Sequence, residues 1–521
     1  MPHPILSRRR FLGLAAGAAA AGPALLTACS GGGSGDRVVA RHRDGILRIG
    51  VAGAPTNINP IDSGSEQTRW PAEAIVETLY AYDDDLASVP LLADGEPIVS
   101  ADRLTWTIKL KKGIKFHNGD ELRADDVIAT LDHILDLGSG SEWITYLLDY
   151  VQRFDKVDDH TLSIGLVRPY GLLRSHLTNL PITHRDFAGR RDTIMGTGPF
   201  RLDGHRPGQS YTLSRFDGYH GEQSEFEGIE YTVFADGATR LVSLRQGKVD
   251  LITAVPFQNL GAVERDDDLK LVVADSPLDV LTYVNLHTEP FSDREFRLAV
   301  AHSMDRAGVR DRVYAGHATI GQGPIGPAEL GWDPDLDVFG AERDLDRARD
   351  HLAKAETDVR KFKVTIGTGQ TSKEIAAVLV AGWAEIGIDV EILPLAGGPW
   401  SSAWLANDYE MLMNTFQSGF TSGPANYLTL APAHSRNILS CGYVDPDVDA
   451  WMDSVWETDV DAERVDALGK INRRLAEEAV IFPPVYPKLA MAQRVELSPL
   501  DRERLRISRI EPQHLHFVEP S

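Results

Sequence analysis

The chain has 521 residues, of which 43% are hydrophobic and 25% charged, and its 53 Lys and Arg against 76 Asp and Glu give a net charge of −23. A disordered chain has a lower apolar content and a nucleic-acid-binding protein has a basic surface, so both classes are excluded. Two cysteines exclude a fold built on several disulfide bonds. The length exceeds what one hydrophobic core serves and predicts two or three lobes.

The first 28 residues have the pattern of an export signal. Ser7-Arg8-Arg9-Arg10-Phe11-Leu12 precedes an apolar run, rich in alanine and glycine, that ends at Ala28. The run is short and interrupted by glycine, which is typical of a signal peptide rather than a membrane-spanning helix. The paired arginines resemble the Tat export signal. Residues 1–28 are therefore predicted to be a Tat-type signal peptide.

The residues that follow predict a lipid anchor. Leu26-Thr27-Ala28-Cys29 resembles a bacterial lipobox, in which the cysteine is lipidated and becomes the new N-terminus. The alternative is an ordinary signal peptide followed by an incidental cysteine. Residues 29–45 begin with Cys29 and a Gly/Ser run, and they are predicted to be the lipidated residue and a flexible tether. The protein is then exported and held by its lipid on the outer face of the cytoplasmic membrane, on the extracytoplasmic or periplasmic side.

Three segments before residue 300 have clear periodicity. Residues 46–52 and 104–110 alternate between apolar and polar side chains and predict strands. Residues 124–137 have apolar side chains at helical spacing and predict a helix. Asp293 is expected to cap the start of a further helix. Of the two cysteines, Cys441 is predicted to be a small buried hydrophobe.

The most regular region is 362–393. Residues 362–366 predict a strand, Ser372 a helix N-cap, and Gly387 the end of that helix. Ile388, Val390 and Ile392 then alternate as a second strand. This is a β-α-β unit, which usually builds a parallel sheet and indicates a mixed α/β fold.

Motifs for catalysis and for metal binding are missing or lack the right context. The sequence has no Gly-x-Ser-x-Gly, His-Glu-x-x-His or phosphate-binding Gly-rich motif. Asp333–Asp337 and Asp445–Asp449 look like the opening of calcium loops, but neither has the required glycine, so Asp-Pro turns are expected. His514 and His516 have no third ligand nearby. We therefore expect neither an enzyme nor a bound metal or cofactor.

A series of motifs carries a family resemblance over nearly the whole mature chain. The clearest part is Gly113 to Asp120, Gly-Ile-Lys-Phe-His-Asn-Gly-Asp, followed by Ala124-Asp125-Asp126-Val127. It resembles the signature of family 5 extracytoplasmic solute-binding proteins, the peptide- and nickel-type receptors of ABC importers. Further matches follow the family's order: Glu77–Tyr80, Gly196–Phe200, Gly247–Asp250, Pro290–Asp293, Arg297–Ala301, Trp383–Ile388 and Asp408–Met411.

The resemblance implies a two-lobed α/β fold of the periplasmic-binding-protein type (type II), with an extra third domain. Lobe I is expected from 46–75, 185–283 and 488–521, the extra domain from 76–184, and lobe II from 284–487. The chain is expected to cross between the lobes near 283–285 and 483–486, where it forms a hinge.

The resemblance also implies the function. A substrate-binding lipoprotein captures an organic solute in the cleft between its lobes, closes about the hinge, and delivers the solute to ABC permease subunits with their ATPase. The alternative is an exported solute sensor or co-receptor on the same scaffold without transport. A monomer is expected, attached to the membrane only through its lipid.

Departures from the dipeptide-binding members bear on the ligand. Those members hold the peptide's amino group with an aspartate and its carboxylate with an arginine, and neither residue is found in 411–424 or 367–373 here. We therefore expect an oligopeptide-like or other neutral ligand, held by aromatic faces and amides. The candidate ligand-binding residues are Asn57, Tyr283, Asn285, Trp400, Trp404, Asn414, Phe416, Gln417, Phe420, Asn426 and Tyr427.

Overall fold

The computed structural model describes residues 44–54, 58–62, 66–83, 87–137, 150–276, 278–417, 430, 433–435, 437, 440–502, 505 and 509–518. The predicted signal peptide and Cys29 lie outside this part of the chain, and so do Asn57, Phe420, Asn426 and Tyr427. For Asn414, Phe416 and Gln417 only the backbone is described.

The elements alternate between strands and helices along the chain, as the mixed α/β prediction requires. The strands are β1 (Ile46–Val51), β2 (Glu77–Thr78), β3 (Tyr80–Tyr82), β4 (Ser88–Pro90), β5 (Ile98–Val99), β6 (Thr105–Lys109), β7 (Val151–Asp158), β8 (Thr161–Leu166), β9 (Pro181–Ile182), β10 (Phe200–Arg206), β11 (Ser210–Arg215), β12 (Gly228–Val233), β13 (Leu251–Ile252), β14 (Leu269–Asp275), β15 (Leu278–Val284), β16 (Ala318–Ile320), β17 (Lys361–Gly367), β18 (Asp389–Leu395), β19 (Met411–Gln417) and β20 (Val485–Arg494). The helices are α1 (Glu66–Glu73), α2 (Ala124–Leu137), α3 (Leu173–Leu177), α4 (Gly237–Arg245), α5 (Leu260–Glu264), α6 (Arg294–His302), α7 (Arg306–Arg312), α8 (Leu345–Lys354), α9 (Gln370–Ala384), α10 (Gly397–Leu405), α11 (Pro446–Glu457) and α12 (Asp461–Glu477).

The largest sheet has eight strands in the order β10-β11-β12-β1-β13-β20-β14, with β16 paired to one end of β20. The strand β1 lies parallel to β12 and to β13, so its two neighbours come from sequence positions far beyond it. The alternation predicted for residues 46–52 is confirmed, since Leu47 and Ile49 are fully buried. Packed against them are Tyr231, Leu251 and Met491.

The second sheet has the order β15-β19-β17-β18 and contains the predicted β-α-β unit. The strands β17 and β18 are parallel, and α9 connects them. Trp383 of this helix is fully buried, and its indole Nε1 donates to the Val300 carbonyl at 3.0 Å. The helix ends as predicted at Gly387, where a φ of +80° favours glycine.

The predicted start of α9 is wrong. The helix begins three residues earlier than an N-cap at Ser372 would give, at Gln370, and Gly369 is the N-cap residue. No side chain makes a capping hydrogen bond there, because the extended backbone of Gly369 turns the chain into the helix by itself. Sequence patterns that look for a hydroxyl or carboxylate cap miss such a start.

The third sheet, with the order β5-β6-β8-β7, packs against α2 within residues 98–166. The helix spans 124–137 as predicted, and its apolar stripe includes Val127 and Leu131. These side chains are fully buried against Ile108 and Ile164 of the sheet. Among the described residues, no helix combines the length and the apolar character needed to cross a lipid bilayer.

The predicted cap at Asp293 is confirmed and does more than begin α6. One carboxylate oxygen accepts from the backbone N–H groups of Glu295 and Phe296, at 2.8 and 3.3 Å. The other accepts from Glu356 and Thr357, at 2.6 and 3.1 Å, and so joins the end of α8 to the start of α6. Burial favours the neutral acid, but these four donors outweigh it and lower the pKa of Asp293 below its ordinary value.

We predict that Asp293→Ala lowers the free energy of unfolding by about 2 kcal/mol, because a cap and two tertiary hydrogen bonds are lost. The lowered pKa means that this stabilisation is complete above the ordinary carboxyl value of 3.8 and is lost as the pH falls through the native value. Urea unfolding of both proteins at neutral and acidic pH measures the difference. Asp346→Ala is the control, since that side chain is 97% exposed; an equal effect of the two changes contradicts the assignment.

Candidate functional site

The chain passes between the eight-stranded sheet and the second sheet at two neighbouring places. The first lies between β14, in one sheet, and β15, in the other. The second lies between Phe482, whose backbone N–H donates to the Thr282 carbonyl of β15, and Lys488 of β20, which pairs with β14. Asp275 is paired with Lys488 there, and the Ser276 hydroxyl donates to the Pro487 carbonyl at 2.9 Å. The two passages are thus tied to each other.

The first passage precedes the predicted crossing at 283–285. Tyr283 is the penultimate residue of β15 and pairs with Leu412 of β19, so it lies well inside the second sheet. The second passage, between Phe482 and Lys488, contains the predicted 483–486.

Trp400 and Trp404 form an aromatic pair on α10. They are four residues apart and therefore on the same face of the helix, with ring centroids 5.7 Å apart. Each side chain is half-buried, and each indole Nε1 is buried without a hydrogen-bond partner among the described residues. Two such donors beside an apolar aromatic surface suit a ligand that presents carbonyl or hydroxyl oxygens.

Tyr283 and Asn285 occupy structural positions. Tyr283 is 2% exposed, and its ring lies 6.4 Å from that of Trp404. The Asn285 amide donates to the carbonyls of Asn407 and Tyr409, both at 2.9 Å, and accepts from the His287 N–H at 3.0 Å. The Asn285 side chain therefore fixes the turn that leads into β19, directly after α10.

The other candidates on this sheet belong to β19. The backbones of Asn414, Phe416 and Gln417 pair with Leu281, Asp279 and Leu278 of β15. Gln417 ends the strand at the same edge of the sheet as Gly367, where β17 ends, because β17 and β19 are parallel. The next residues of the chain, where Phe420, Asn426 and Tyr427 were predicted to contact the ligand, lie outside the described residues.

A cavity of about 810 Å³ opens between α10 and the second sheet. Its lining is mostly uncharged and comprises Asn285, Thr288, Lys363, Thr365, Leu393, Leu395, Pro399, Ser402, Ala403, Ala406, Asn407, Asp408, Tyr409 and Glu410. The Tyr409 hydroxyl and the Asn407 side-chain oxygen are buried here without hydrogen-bond partners among the described residues. Burial also raises the pKa of Tyr409, so its hydroxyl keeps its proton and is available as a donor.

Sequence reasoning missed Lys363, Asn407 and Tyr409 as cavity residues. The alternation of β17 does place Lys363 and Thr365 on one face of the strand, opposite the buried Phe362. The pattern gives no sign that α10 leaves part of this face uncovered. That depends on how the helix packs, which the spacing of its own residues does not determine.

A contact between distant segments, which local sequence patterns do not reveal, joins residues 103–171 to the end of α11. The Gly171 N–H donates to the Trp456 carbonyl at 2.8 Å, and Arg103 donates to the Glu457 carbonyl at 2.6 Å. A Cβ atom on Gly171 would lie 2.0 Å from the Thr458 carbonyl oxygen, so only glycine fits this approach.

An aromatic and charged cluster surrounds this contact. Tyr150 stacks on Tyr170 with ring centroids 4.2 Å apart, and the Arg168 guanidinium lies 4.3 Å from the Tyr150 ring centre. Arg168 also lies 3.8 Å from carboxylate oxygens of Asp453 and Glu457 on α11. The contact therefore connects residues 103–171 with residues 453–459 through backbone, aromatic and ionic interactions.

The described residues provide neither a cluster of metal ligands nor an exposed thiol. Within the part of the chain that the structure describes, no group of three or more His, Cys, Asp or Glu side chains is arranged to hold a metal ion. Cys441 is 1% exposed, as predicted, and burial raises the pKa of its thiol to about 11. At neutral pH the thiol is protonated and shielded from solvent.

Known proteins share both sequence and fold with this chain. The glutathione-binding protein GsiB of Pectobacterium atrosepticum is 24% identical over 367 residues, covering 68% of this chain and 70% of that protein. The oligopeptide-binding protein AppA of Bacillus subtilis is 27% identical over 398 residues, covering 70% and 73%. The structure of the ABC transporter-associated periplasmic binding protein DppA of Helicobacter pylori, in complex with the peptide STSA, aligns with a TM-score of 0.77 at 19% identity over 91% of this chain and 98% of that one.

The family model for bacterial extracellular solute-binding proteins, family 5 (middle part), matches residues 87–436. This range exceeds half of the chain and includes the motif at Gly113–Asp120, the β-α-β unit and the Trp400–Trp404 pair. The fold is that of the periplasmic binding proteins, with the mixed α/β sheets described above. The resemblance found in the sequence is confirmed, and the chain belongs to the family 5 bacterial extracellular solute-binding proteins.

Proposed function

We propose that this chain is the substrate-binding lipoprotein of an ABC importer. It captures an organic solute between its two large sheets, closes around it, and delivers it to the permease subunits and their ATPase. The observation that carries this proposal is the pair of adjacent passages at Ser276 and Pro487, which lie side by side where the chain runs between the two large sheets. Relatives named for binding glutathione and oligopeptides support the class of solute.

The proposed lobes correspond to the sheets. The eight-stranded sheet would form lobe I, the second sheet lobe II, and residues 76–184 the extra domain. The position of β15 in the second sheet favours a first lobe boundary at Ser276 rather than at Tyr283. Both passages contain short backbone connections that can absorb a change of φ and ψ, as hinges do in proteins of this shape.

The ligand is proposed to be an oligopeptide or another neutral, oxygen-rich solute. The indole donors of Trp400 and Trp404, which have no partner among the described residues, provide hydrogen-bond donors beside aromatic surface. The sequence has no acidic residue between Glu410 and Asp445, so this stretch offers no carboxylate for a ligand's ammonium group. We propose binding without chemical turnover, by a monomer.

Closure is supported by the contact between the extra domain and lobe II. The Gly171–Trp456 and Arg103–Glu457 hydrogen bonds connect the proposed extra domain with proposed lobe II. These residues are distant in sequence from the two passages between the sheets. Such a contact stabilises the closed arrangement relative to an open one in which it is broken. Affinity falls when the closed state is less populated, even if the pocket is unchanged.

Export and anchoring complete the proposal. The paired arginines Arg8 and Arg9, the lipobox that ends at Cys29 and the Gly/Ser tether would place the protein on the outer face of the cytoplasmic membrane. A tether of this composition lets the lobes reach the permease while the lipid stays in the bilayer.

The aromatic pair gives the central test of the function. Ligand recovered from the gently purified, exported protein is identified by mass spectrometry and its affinity measured by calorimetry. We expect Trp404→Ala to weaken binding at least about tenfold, or roughly 1.4 kcal/mol. Trp404→Phe, which keeps an aromatic surface but loses the indole N–H, is expected to have an intermediate effect.

The matched control is Leu405→Ala, the next residue on α10, whose side chain is 46% exposed. It should leave the affinity unchanged. If Trp404→Ala binds the ligand as tightly as the unmodified protein does, the aromatic pair is not part of the pocket.

The closure contact can be tested without touching the aromatic pair. Gly171→Ala places a Cβ against the Thr458 carbonyl, so we expect roughly five- to tenfold weaker ligand binding and a larger radius of gyration of the ligand-bound protein in solution scattering. Gly189→Ala is the control, because its added Cβ would lie 3.5 Å from the nearest atom, on the His133 ring, which is an ordinary van der Waals distance. Unchanged affinity and compaction in Gly171→Ala would show that this contact does not accompany closure.

The anchor has its own test. Cys29→Ser should abolish lipidation and release the protein from the membrane fraction, while ligand affinity stays the same because the tether lies outside the lobes. Mass spectrometry of the mature N-terminus reports the lipid directly. An unmodified Cys29 in the native protein rejects the lipoprotein assignment and leaves the binding function standing.

A further inference from the structure

A separate cavity of about 250 Å³ lies beside α1, away from α10 and the second sheet. Its lining comes from α1, from the β2–β3 region and from the C-terminal segment, and comprises Pro60, Arg69, Ala72, Glu73, Val76, Glu77, Thr78, Ala81, Tyr82, Leu91, Asn179, Pro181, Pro199, Tyr219, Arg509, Glu511, Gln513 and His514. A single water needs about 10–15 Å³ of such space, so the cavity can hold a small organic molecule.

Three buried acceptor atoms in this cavity have no hydrogen-bond partner among the described residues. Two are the carboxyl oxygens of Glu73, whose side chain is only 9% exposed. The third is the side-chain oxygen of Gln513. Arg69 lies 4.0 Å from Glu73, and the nearby Ile510 N–H favours the ionised form of its carboxyl. Leaving buried acceptors unpaired is costly, so the site favours an occupant that supplies donors.

Two other charged groups of the cavity, Glu77 and Arg509, have their own partners. Glu77 accepts from Thr197 at 2.7 Å and from Tyr219 at 3.0 Å, and it pairs with His220 at 2.8 Å. Arg509 donates to the Thr178 carbonyl at 3.1 Å and lies over the Tyr82 ring. Two arginines, Arg69 and Arg509, face three glutamates, Glu73, Glu77 and Glu511, so a bound monocation would balance the charge of the lining.

The protonation of Glu73 responds to these surroundings. Burial raises the pKa of its carboxyl from 4.5 to about 7, which Arg69 and Arg509 oppose and Glu511 reinforces. The Tyr231 hydroxyl faces the same carboxyl from β12, and His514, Glu77, Tyr82 and Tyr219 are the remaining titratable groups of the lining. An approaching cation favours the ionised carboxylate and displaces its proton.

We propose that this cavity is a second binding site, which takes a small primary ammonium compound whose three N–H donors pair with Glu73 and Gln513. A primary ammonium offers three donors and no acceptor, which matches the three unpaired acceptors and the charge of the lining. The site is independent of the solute bound between the large sheets, since none of its lining residues belongs to the second sheet or to α10.

Calorimetry on the full chain, with ethylammonium chloride as the probe, tests the proposal. We expect ethylammonium to bind, and tetramethylammonium, which has the same charge but no N–H donor, not to bind. Glu73→Gln should lower the affinity for ethylammonium at least about tenfold. Asp217→Asn makes the same chemical change on a carboxylate that is 90% exposed and should have no effect. Failure of ethylammonium to bind, equal binding of both cations, or full binding by Glu73→Gln overturns the proposal.

The pH dependence adds a second readout. Below pH about 7, the affinity for ethylammonium should rise about tenfold for each unit by which the pH is raised, because only the ionised Glu73 carboxylate pairs with the cation. Above pH about 7 the affinity should become constant. An affinity independent of pH between 5 and about 8 contradicts the role of Glu73.

Thermal unfolding separates binding from folding. Without ligand, native Glu73 keeps a proton that the unfolded chain has released between pH 4.5 and about 7, so stability falls as the pH rises through this range and stays low above it. In Glu73→Gln the side chain does not ionise, so the stability should not fall in this way. This variant should therefore be more stable than the unmodified protein at pH values above 7. A Glu73→Gln protein that is folded and stable, yet does not bind ethylammonium, therefore has lost the site and not the fold.

Discussion

The pairing of β14 with β20 is the constraint on which the arrangement of the two large sheets depends. The two strands run side by side from Leu269–Arg494 to Asp275–Lys488. Beyond this ladder, β14 leads into β15 of the second sheet, and the segment before β20 contacts β15 through Phe482. The Ser276 hydroxyl bonded to the Pro487 carbonyl fixes the two exits to each other. In the proposed closure, a rotation of one sheet relative to the other would bend both passages together, about a common line.

The architecture also determines where a ligand can be recognised. Parallel strands such as β17 and β19 end at one edge of their sheet, which is where ligands bind in many open α/β sheets. Trp400 and Trp404 follow β18 and lie on a helix whose packing leaves both indole N–H groups unpaired. The helix thus presents donors and aromatic surface together, while the Asn285 amide fixes the turn after it through the carbonyls of Asn407 and Tyr409.

Much of the local structure could be predicted because it depends on near neighbours in sequence. The alternation of 104–110, the helix at 124–137 and the cap at Asp293 all follow from spacing or from a side chain that reaches its own backbone. Features that depend on distant residues could not be predicted. The change of sheet at Ser276, the contact of Gly171 with Trp456 and the meeting of Glu73 with Gln513 each need two segments far apart in the chain. Ser372 failed as a cap for a local reason, since Gly369 turns the chain without any side chain.

The burial of Cys441 has a practical consequence for watching this molecule move. Its thiol is shielded and keeps its proton at neutral pH, so it reacts slowly with maleimide dyes. Of the two cysteines in the sequence, the other is Cys29, which a lipid would block or a truncated gene would omit. Single cysteines introduced on the exposed surface of each sheet can then be labelled selectively in an otherwise native background. Fluorescence between such a pair of dyes would follow the distance between the sheets in individual molecules.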